Sequence, residues 1–154
     1  FFKKSEISRF IAENYLTIIE SDLYKKHRLT LGVPDGSRDI LVDKDFPLEF
    51  GFDELQGIDY SKGCFVGQEL TARTHNRGIL KKRIFRTAIS GPLPKFGSDI
   101  FSGDKKIGTM RSSKGNLGLA HLDLAEVKKA YSSGTLLKTG GAILTPSSPT
   151  WANY

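Results

Sequence analysis

Apolar positions early in the chain recur at helical spacing. Ile7, Phe10, Ile11, Ile18, Ile19 and Leu23 follow a period of about 3.6 residues, which predicts helix across residues 5–31. Ser21 and Asp22 are residue types that cap helices, so the stretch reads either as one helix or as two with a break near Thr17. Gly32 and Pro34 end it. Pro34-Asp35-Gly36 has turn chemistry, proline presetting φ and glycine tolerating the left-handed region. Pro47 to Leu55 reads as a short irregular segment that leads into a glycine-punctuated stretch over 57–67. Across 68–75 the pattern does not separate helix from strand.

From Lys81 the period shortens. Phe85, Thr87 and Ile89 alternate with polar or small neighbours, the mark of a strand with one buried face. Gly91-Pro92-Leu93-Pro94 interrupts the run. Ser102-Gly103-Asp104 predicts a hairpin between 99–101 and 106–110, and another strand is expected over 117–122. A short helix follows, with Asp123 as N-cap, Glu126 as its capping-box partner and Gly134 as the stop. Thr139-Gly140-Gly141 predicts a last hairpin between 136–138 and 142–144. Short, evenly spaced strands predict a small antiparallel barrel or sandwich. The division expected is 1–86, mixed α and β, and 87–154, the barrel.

Composition adds bounds. The chain has 154 residues, 38% of them hydrophobic and 26% charged, which suits a globular protein of one or two small domains. No apolar run approaches the roughly 20 residues of a bilayer span. The N-terminus lacks both a signal-peptide layout and an initiator methionine, so the chain is expected to be processed or part of a longer one. The formal net charge of +6 suits either an anionic partner or a lysine-rich solvated surface. Lys81-Lys82-Arg83 suggests nucleic acid only weakly. Of the interleaved aromatic residues that a single-strand platform needs, only Phe85 is close by. Three histidines, His27, His75 and His121, are too scattered to suggest a metal site, and His121 reads as structural on its strand. Trp151 is expected to pack the chain end.

The single cysteine excludes an internal disulfide framework and any metal site built from several cysteines of this chain. It lies in Lys62-Gly63-Cys64-Phe65-Val66-Gly67-Gln68-Glu69. Glycines on both sides permit unusual backbone angles and close approach. A lysine two positions before the thiol favours thiolate. Two readings stand: a reactive nucleophile or soft metal ligand, or a small buried hydrophobe. A hydrolase pairing Cys64 with His75 lacks a third orienting group in the sequence.

This segment closely resembles the signature of the YgfZ family of folate-binding proteins, which assist iron–sulfur cluster assembly, and its continuation through His75 is similar to the mitochondrial branch. The resemblance extends along most of the chain: to Leu29 through Gly36, to Pro47-Leu48-Glu49-Phe50-Gly51 (with Phe50 where alanine is common), to Ile107-Gly108-Thr109 with Gly118-Leu119-Ala120, and to Pro149-Thr150-Trp151. It implies an α+β fold, part of an aminomethyltransferase-like architecture with a ferredoxin-like half followed by a small antiparallel barrel. The opening half of that fold, which holds the catalytic aspartate of the glycine-cleavage T-proteins, is absent here, so self-association of this chain is an open expectation. The resemblance implies tetrahydrofolate as cofactor, with Glu49 on the pterin and Arg73 or Lys62 on the glutamate tail. For all three, a solvated surface role is the competing reading. It implies a role for Cys64 in handling or repairing iron–sulfur intermediates, and iron–sulfur proteins or their assembly machinery as partners. No tightly bound metal is expected. Gln68 and Glu69 either position the loop or bind a partner, or else cap a helix N-terminus. Aminomethyl or methyl transfer of the T-protein type is the alternative activity, although the K-G-C signature marks the branch thought to lack it. The expected location is a bacterial cytoplasm, with the mitochondrial matrix as alternative.

Overall fold

The computed structural model describes residues 3–63, 68–78 and 80–154. The helical opening is two elements, α1 (Lys4–Glu13) and α2 (Ser21–Leu31), separated by residues 14–20. The periodicity that suggested one helix was carried partly by Ile18 and Ile19, which lie in that break and are exposed. Glu20 precedes α2 as its cap and Gly32 ends it in the left-handed region, its N–H reaching back to Leu29 O. A single 3₁₀ turn, η1 (Pro47–Phe50), follows, with proline at its start and Gly51 closing it. The undecided stretch after the cysteine segment is helical: α3 (Gln68–Arg77) packs against η1. Among the described residues before Lys82 the regular elements are all helical. No helix among the described residues is long and apolar enough to cross a membrane.

Six strands then form a closed antiparallel barrel: β1 (Lys82–Ser90), β2 (Asp99–Ser102), β3 (Lys105–Lys114), β4 (Leu117–Asp123), β5 (Leu137–Thr139) and β6 (Ala142–Ser147). Their order around the barrel is β1-β4-β3-β2-β5-β6, and β1 closes it by pairing with β4 on one side and β6 on the other. Closure leaves no strand edge to template aggregation. β1 begins at Lys82, on the N-terminal side of the 86/87 junction expected from the sequence. Gly103-Asp104 and Gly140-Gly141 make the two-residue turns that their glycines predicted. The helix α4 (Leu124–Ser133) sits between β4 and β5. Asp123 caps it, accepting from Glu126 N at 3.1 Å. The reciprocal half of the expected capping box is not made, because the Glu126 carboxylate turns to Lys105 Nζ at 2.7 Å.

Successive residues of a strand point to opposite faces. In β1 and β4 this sends Phe85, Ile89, Ala120 and Leu122 into the barrel, where they meet Ile100, Met110 and Leu144. Ile84 and Leu119 face outward and are equally apolar. They form a second core with Leu29 of α2 and Phe50 of η1. Burying a side chain of this size contributes about 1.5–3 kcal/mol, which is what fixes the helical segment on the barrel wall. The chain end joins the same layer. Trp151 donates its indole N–H to Leu31 O at 3.0 Å and lies against Gly51, where a Cβ would stand 2.2 Å from the ring.

Tyr154 closes the barrel's flank. Its ring meets Phe85 edge-on at 5.4 Å, the Arg83 guanidinium lies 4.2 Å from its centroid, and its hydroxyl donates to Ile84 O. Arg83 is itself buried and paired with Glu54, so Lys81-Lys82-Arg83 is not a uniformly solvated basic patch. Burial pushes the Tyr154 phenol up from 10.0 to about 12. A folded-state pKa above the unfolded one stabilises through the neutral phenol. That contribution is complete below pH 10.0 and is lost as the pH rises through about 12. Urea denaturation across this window is expected to show a loss on the order of 2–3 kcal/mol that Tyr154→Phe lacks. Equal pH dependence in both proteins would refute the assignment.

Candidate functional site

The layer between barrel wall and helical segment holds a polar cluster. Strand pairing sets Thr109 of β3 opposite His121 of β4, and Arg111 follows two residues along. Arg111 is 3% exposed, and its Nη2 binds both Asp45 oxygens, at 2.9 and 3.1 Å. Asp45 is in turn held by Leu41 N–H at 2.7 Å. Burial pushes the Arg111 guanidinium down from its usual value, while Asp45, Asp39 and Glu49 pull it back up.

The same Arg111 Nη2 lies 3.3 Å from His121 Nδ1. A guanidinium only donates, so Nδ1 must accept, and the ring proton of neutral His121 is on Nε2. That nitrogen is 3.0 Å from Glu49 Oε2, off the axis of a hydrogen bond but within ion-pair distance. Phe50 supports the imidazole, ring to ring at 4.8 Å. His121 is therefore the link between Glu49 and Arg111, a role beyond the structural one its strand position suggested.

A second branch runs from α2 to β3 through Asp39, which is fully buried. It accepts from Arg28 Nη1 at 2.6 Å, Asp35 N at 2.8 Å and Ser112 N at 2.7 Å. Arg28 also donates to Val33 O at 2.7 Å. The two branches set the height of the helical segment above the barrel wall.

Above the cluster is a cavity of about 490 Å³, lined by Asp45, Phe46, Glu49, Arg111 and His121, with Lys44, Lys81 and Lys82 also around it. That volume lies within the range of about 300–1,000 Å³ for small-molecule sites. On the other side of Arg111, Lys25, Arg38, Phe96 and Lys114 line a second cavity of about 470 Å³. The first combines a partly buried carboxylate, an exposed aromatic ring and lysines, a donor set suited to a heterocycle carrying an anionic tail.

Of the folate and motif residues that the resemblance assigned, Glu49 is the one among the described residues that lines this cavity; His121, Lys81 and Lys82, noted from the sequence for other reasons, line it too. Arg73 and Glu69 pair with each other at 3.4 Å on the exposed face of α3, and Arg73 is not part of the cavity lining. Lys62 and Gly63 end an exposed turn segment, and Gln68 opens α3. Cys64 and Gly67 lie outside the described residues. Among the described residues, no group of three or more His, Cys, Asp or Glu side chains could hold a metal ion. Sequence reasoning passed over Arg111, Asp45 and Asp39. The available signal was Arg111 itself, an ionised residue inside a strand beside the buried Met110.

Comparison with known proteins first gives the class of the barrel. Residues 81–154 match the family model described as CAF17, C-terminal beta-barrel domain. The chain is also similar to named proteins. It is 38% identical to the human mitochondrial iron–sulfur cluster assembly factor IBA57 over 110 residues, 68% of this chain and 31% of that protein. It is 41% identical to the Dictyostelium discoideum homologue over 85 residues, 53% of this chain and 21% of that protein. It is 51% identical to the Mycosarcoma maydis homologue over 61 residues, 40% of this chain and 15% of that protein. The chain thus spans about a third or less of the length of these curated relatives. Together the similarities support the iron–sulfur cluster assembly family that includes CAF17 and IBA57.

Proposed function

We propose that this chain is the C-terminal part of a mitochondrial iron–sulfur cluster assembly factor that binds tetrahydrofolate beside the barrel and acts through its Cys64 segment. The observation that carries the reading is the similarity of 68% of the chain to an assembly factor of the mitochondrion. The Lys62–Glu69 signature supports it, as the mark of YgfZ-type proteins. In this reading the segment before β1 is the helical part of an aminomethyltransferase-like folate-binding half, completed by chain outside the 154 residues.

The cavity residues fit a folate in part. The Glu49 carboxylate keeps Oε1 for the amino edge of a pterin, because His121 engages Oε2. Phe46 offers an apolar face to the ring, and Lys44, Lys81 and Lys82 supply charge-assisted donors for a carboxylate tail. Bound folate would supply one-carbon chemistry. The protein's share is to hold the ring against Glu49. Arg73 is not among the residues lining this cavity, so in this reading the lysines take the tail.

Cys64 acts as a transient thiolate contact to an iron–sulfur cluster in transit. One thiolate does not hold a cluster, which normally takes four protein ligands, so the contact is shared with a partner. In cells lacking the protein, Cys64→Ser is expected to fail to restore iron–sulfur enzyme activity. Full restoration would remove the thiol from the mechanism. In calorimetric titration with tetrahydrofolate, the full-length protein is expected to bind. Glu49→Gln is expected to weaken binding about tenfold or more, the loss of a hydrogen bond to a charged group. Unchanged affinity in Glu49→Gln would remove Glu49 from the pterin site.

A further inference from the structure

The Cys64 segment leads directly into α3, and α3 carries a histidine whose setting differs from that of His121. His75 Nδ1 lies 3.1 Å from Asp53 Oδ2, with the two side chains 41% and 36% exposed. The ring is stacked on Tyr60, centroids 4.2 Å apart and planes at 29°. Asp53 and Tyr60 come from the segment between η1 and the cysteine motif, so two side chains of one segment fix both the rotation and the tautomer of a residue on another. At that ion-pair distance a carboxylate disfavours a lone pair on Nδ1, which places the proton of neutral His75 on Nδ1 and the lone pair on Nε2. This is the reverse of His121, whose Nδ1 accepts from Arg111. The third orienting group that the sequence did not reveal for His75 is therefore Asp53.

A carboxylate on one imidazole nitrogen with the other left as a lone-pair donor is the arrangement that metal-binding histidines adopt. The carboxylate fixes the ring orientation before the metal arrives. Imidazole nitrogen is a good ligand for iron. Among the described residues no group of three or more His, Cys, Asp or Glu side chains could hold a metal ion, so a metal meeting His75 takes its remaining ligands from elsewhere. Stacking on Tyr60 further reduces the ordering cost of ligation, because the ring is already placed.

We propose that His75 Nε2, oriented by Asp53 and Tyr60, is a ligand that this chain offers to iron in transit, ferrous or within a cluster. The inference rests on the iron–sulfur reading above for the identity of its cargo. The first test uses Co²⁺ alone as the probe on the ¹⁵N-labelled intact protein, followed through the imidazole nitrogens. Selective loss of the His75 Nε2 signal is expected, with His27 and His121 unaffected. Asp53→Asn, which keeps the shape but not the charge, is expected to weaken Co²⁺ binding about 10–100-fold. An unperturbed His75 signal at saturating Co²⁺, or equal affinity in Asp53→Asn, would overturn the proposal. The second test compares His75→Gln with Cys64→Ser in cells lacking the protein. Reduced iron–sulfur enzyme activity with His75→Gln is expected. If His75→Gln restores activity fully while Cys64→Ser does not, the histidine ligand falls and the iron–sulfur reading stands. If both variants restore it fully, that reading falls and takes the iron cargo of His75 with it.

Discussion

Asp39→Ala is expected to destabilise the fold by about 3–5 kcal/mol, the cost of breaking a buried ion pair from one side. Asp39 is fully buried and Arg28 is 6% exposed, so the guanidinium left behind is largely shielded from solvent. The Asp35 and Ser112 N–H groups lose their acceptor at the same time. Asn is not a substitute. Its amide can serve one backbone N–H through its oxygen, but its NH₂ then faces other donors and the Arg28 charge stays uncompensated. The double variant Arg28→Ala with Asp39→Ala is expected to lose less than the two single losses added, because it removes the stranded charge. Urea denaturation midpoints measured with unchanged m-values check this. A loss under about 1 kcal/mol for Asp39→Ala would mean the site relaxes enough to admit water.

That network also shows where the sequence was readable. The strands after Phe85 were legible because their signals are local: alternation over a few residues, and glycines at Gly103 and Gly140-Gly141 where a tight turn needs positive φ. The start of β1 was marked by the change of texture at Lys81 but not by alternation. Arg83, Ile84 and Phe85 are all buried, since one face fills the barrel and the other is covered by the helical segment, and alternation vanishes where both faces are dry. The helix α3 was undecided because ten residues rich in polar side chains give a short amphipathic signal that fits either period.

The candidate site was legible only in pieces, for a related reason. Arg28, Asp39, Asp45 and Arg111 are types that favour solvent, and nothing within a few residues of each marks it as buried. Their burial is a property of layering: barrel closure brings an outer wall of β1, β4 and β3 under α2 and η1. Glu49 was visible through its resemblance to a pterin-binding position, and His121 through its strand, but the contact between them exists only once η1 lies on β4. Phe50 makes that contact specific. It is wholly buried and fills the space between the second core and the His121 ring, so this chain packs an aromatic ring behind its candidate ligand residue. The cysteine segment is the reverse case. The chemistry proposed for it rests on eight consecutive residues of sequence, and Cys64 to Gly67 lie outside the described structure.

Gly108→Ala is expected to be about as damaging as the loss of Asp39, through backbone contact instead of charge. Gly108 stands opposite Leu122 in the β3–β4 ladder. A Cβ there would lie 2.1 Å from His121 O and 3.0 Å from Leu122 Cα, with Leu122 Cδ2 at 2.7 Å. Two of those three atoms are main chain, so no rotamer change removes the clash and the strands must part. Overpacking usually costs about 1–3 kcal/mol, and a clash with a paired strand belongs at or above the top of that range. Gly118→Ala provides the internal comparison. Its Cβ would meet Met110 Cε at 3.0 Å and Ile89 Cδ1 at 3.1 Å, flexible ends that can shift, with Ser112 O at 3.2 Å as the main-chain limit. A loss of about 1 kcal/mol is expected there. The two variants should also differ in function. Parting β3 from β4 at Gly108 displaces the next pair, Thr109 and His121, and with it the Nε2 contact to Glu49. On the proposed folate reading, tetrahydrofolate affinity therefore falls in Gly108→Ala and holds in Gly118→Ala, measured at a temperature where both remain folded. Equal stability of the two variants would show that the ladder at Gly108 yields more readily than its main-chain geometry implies.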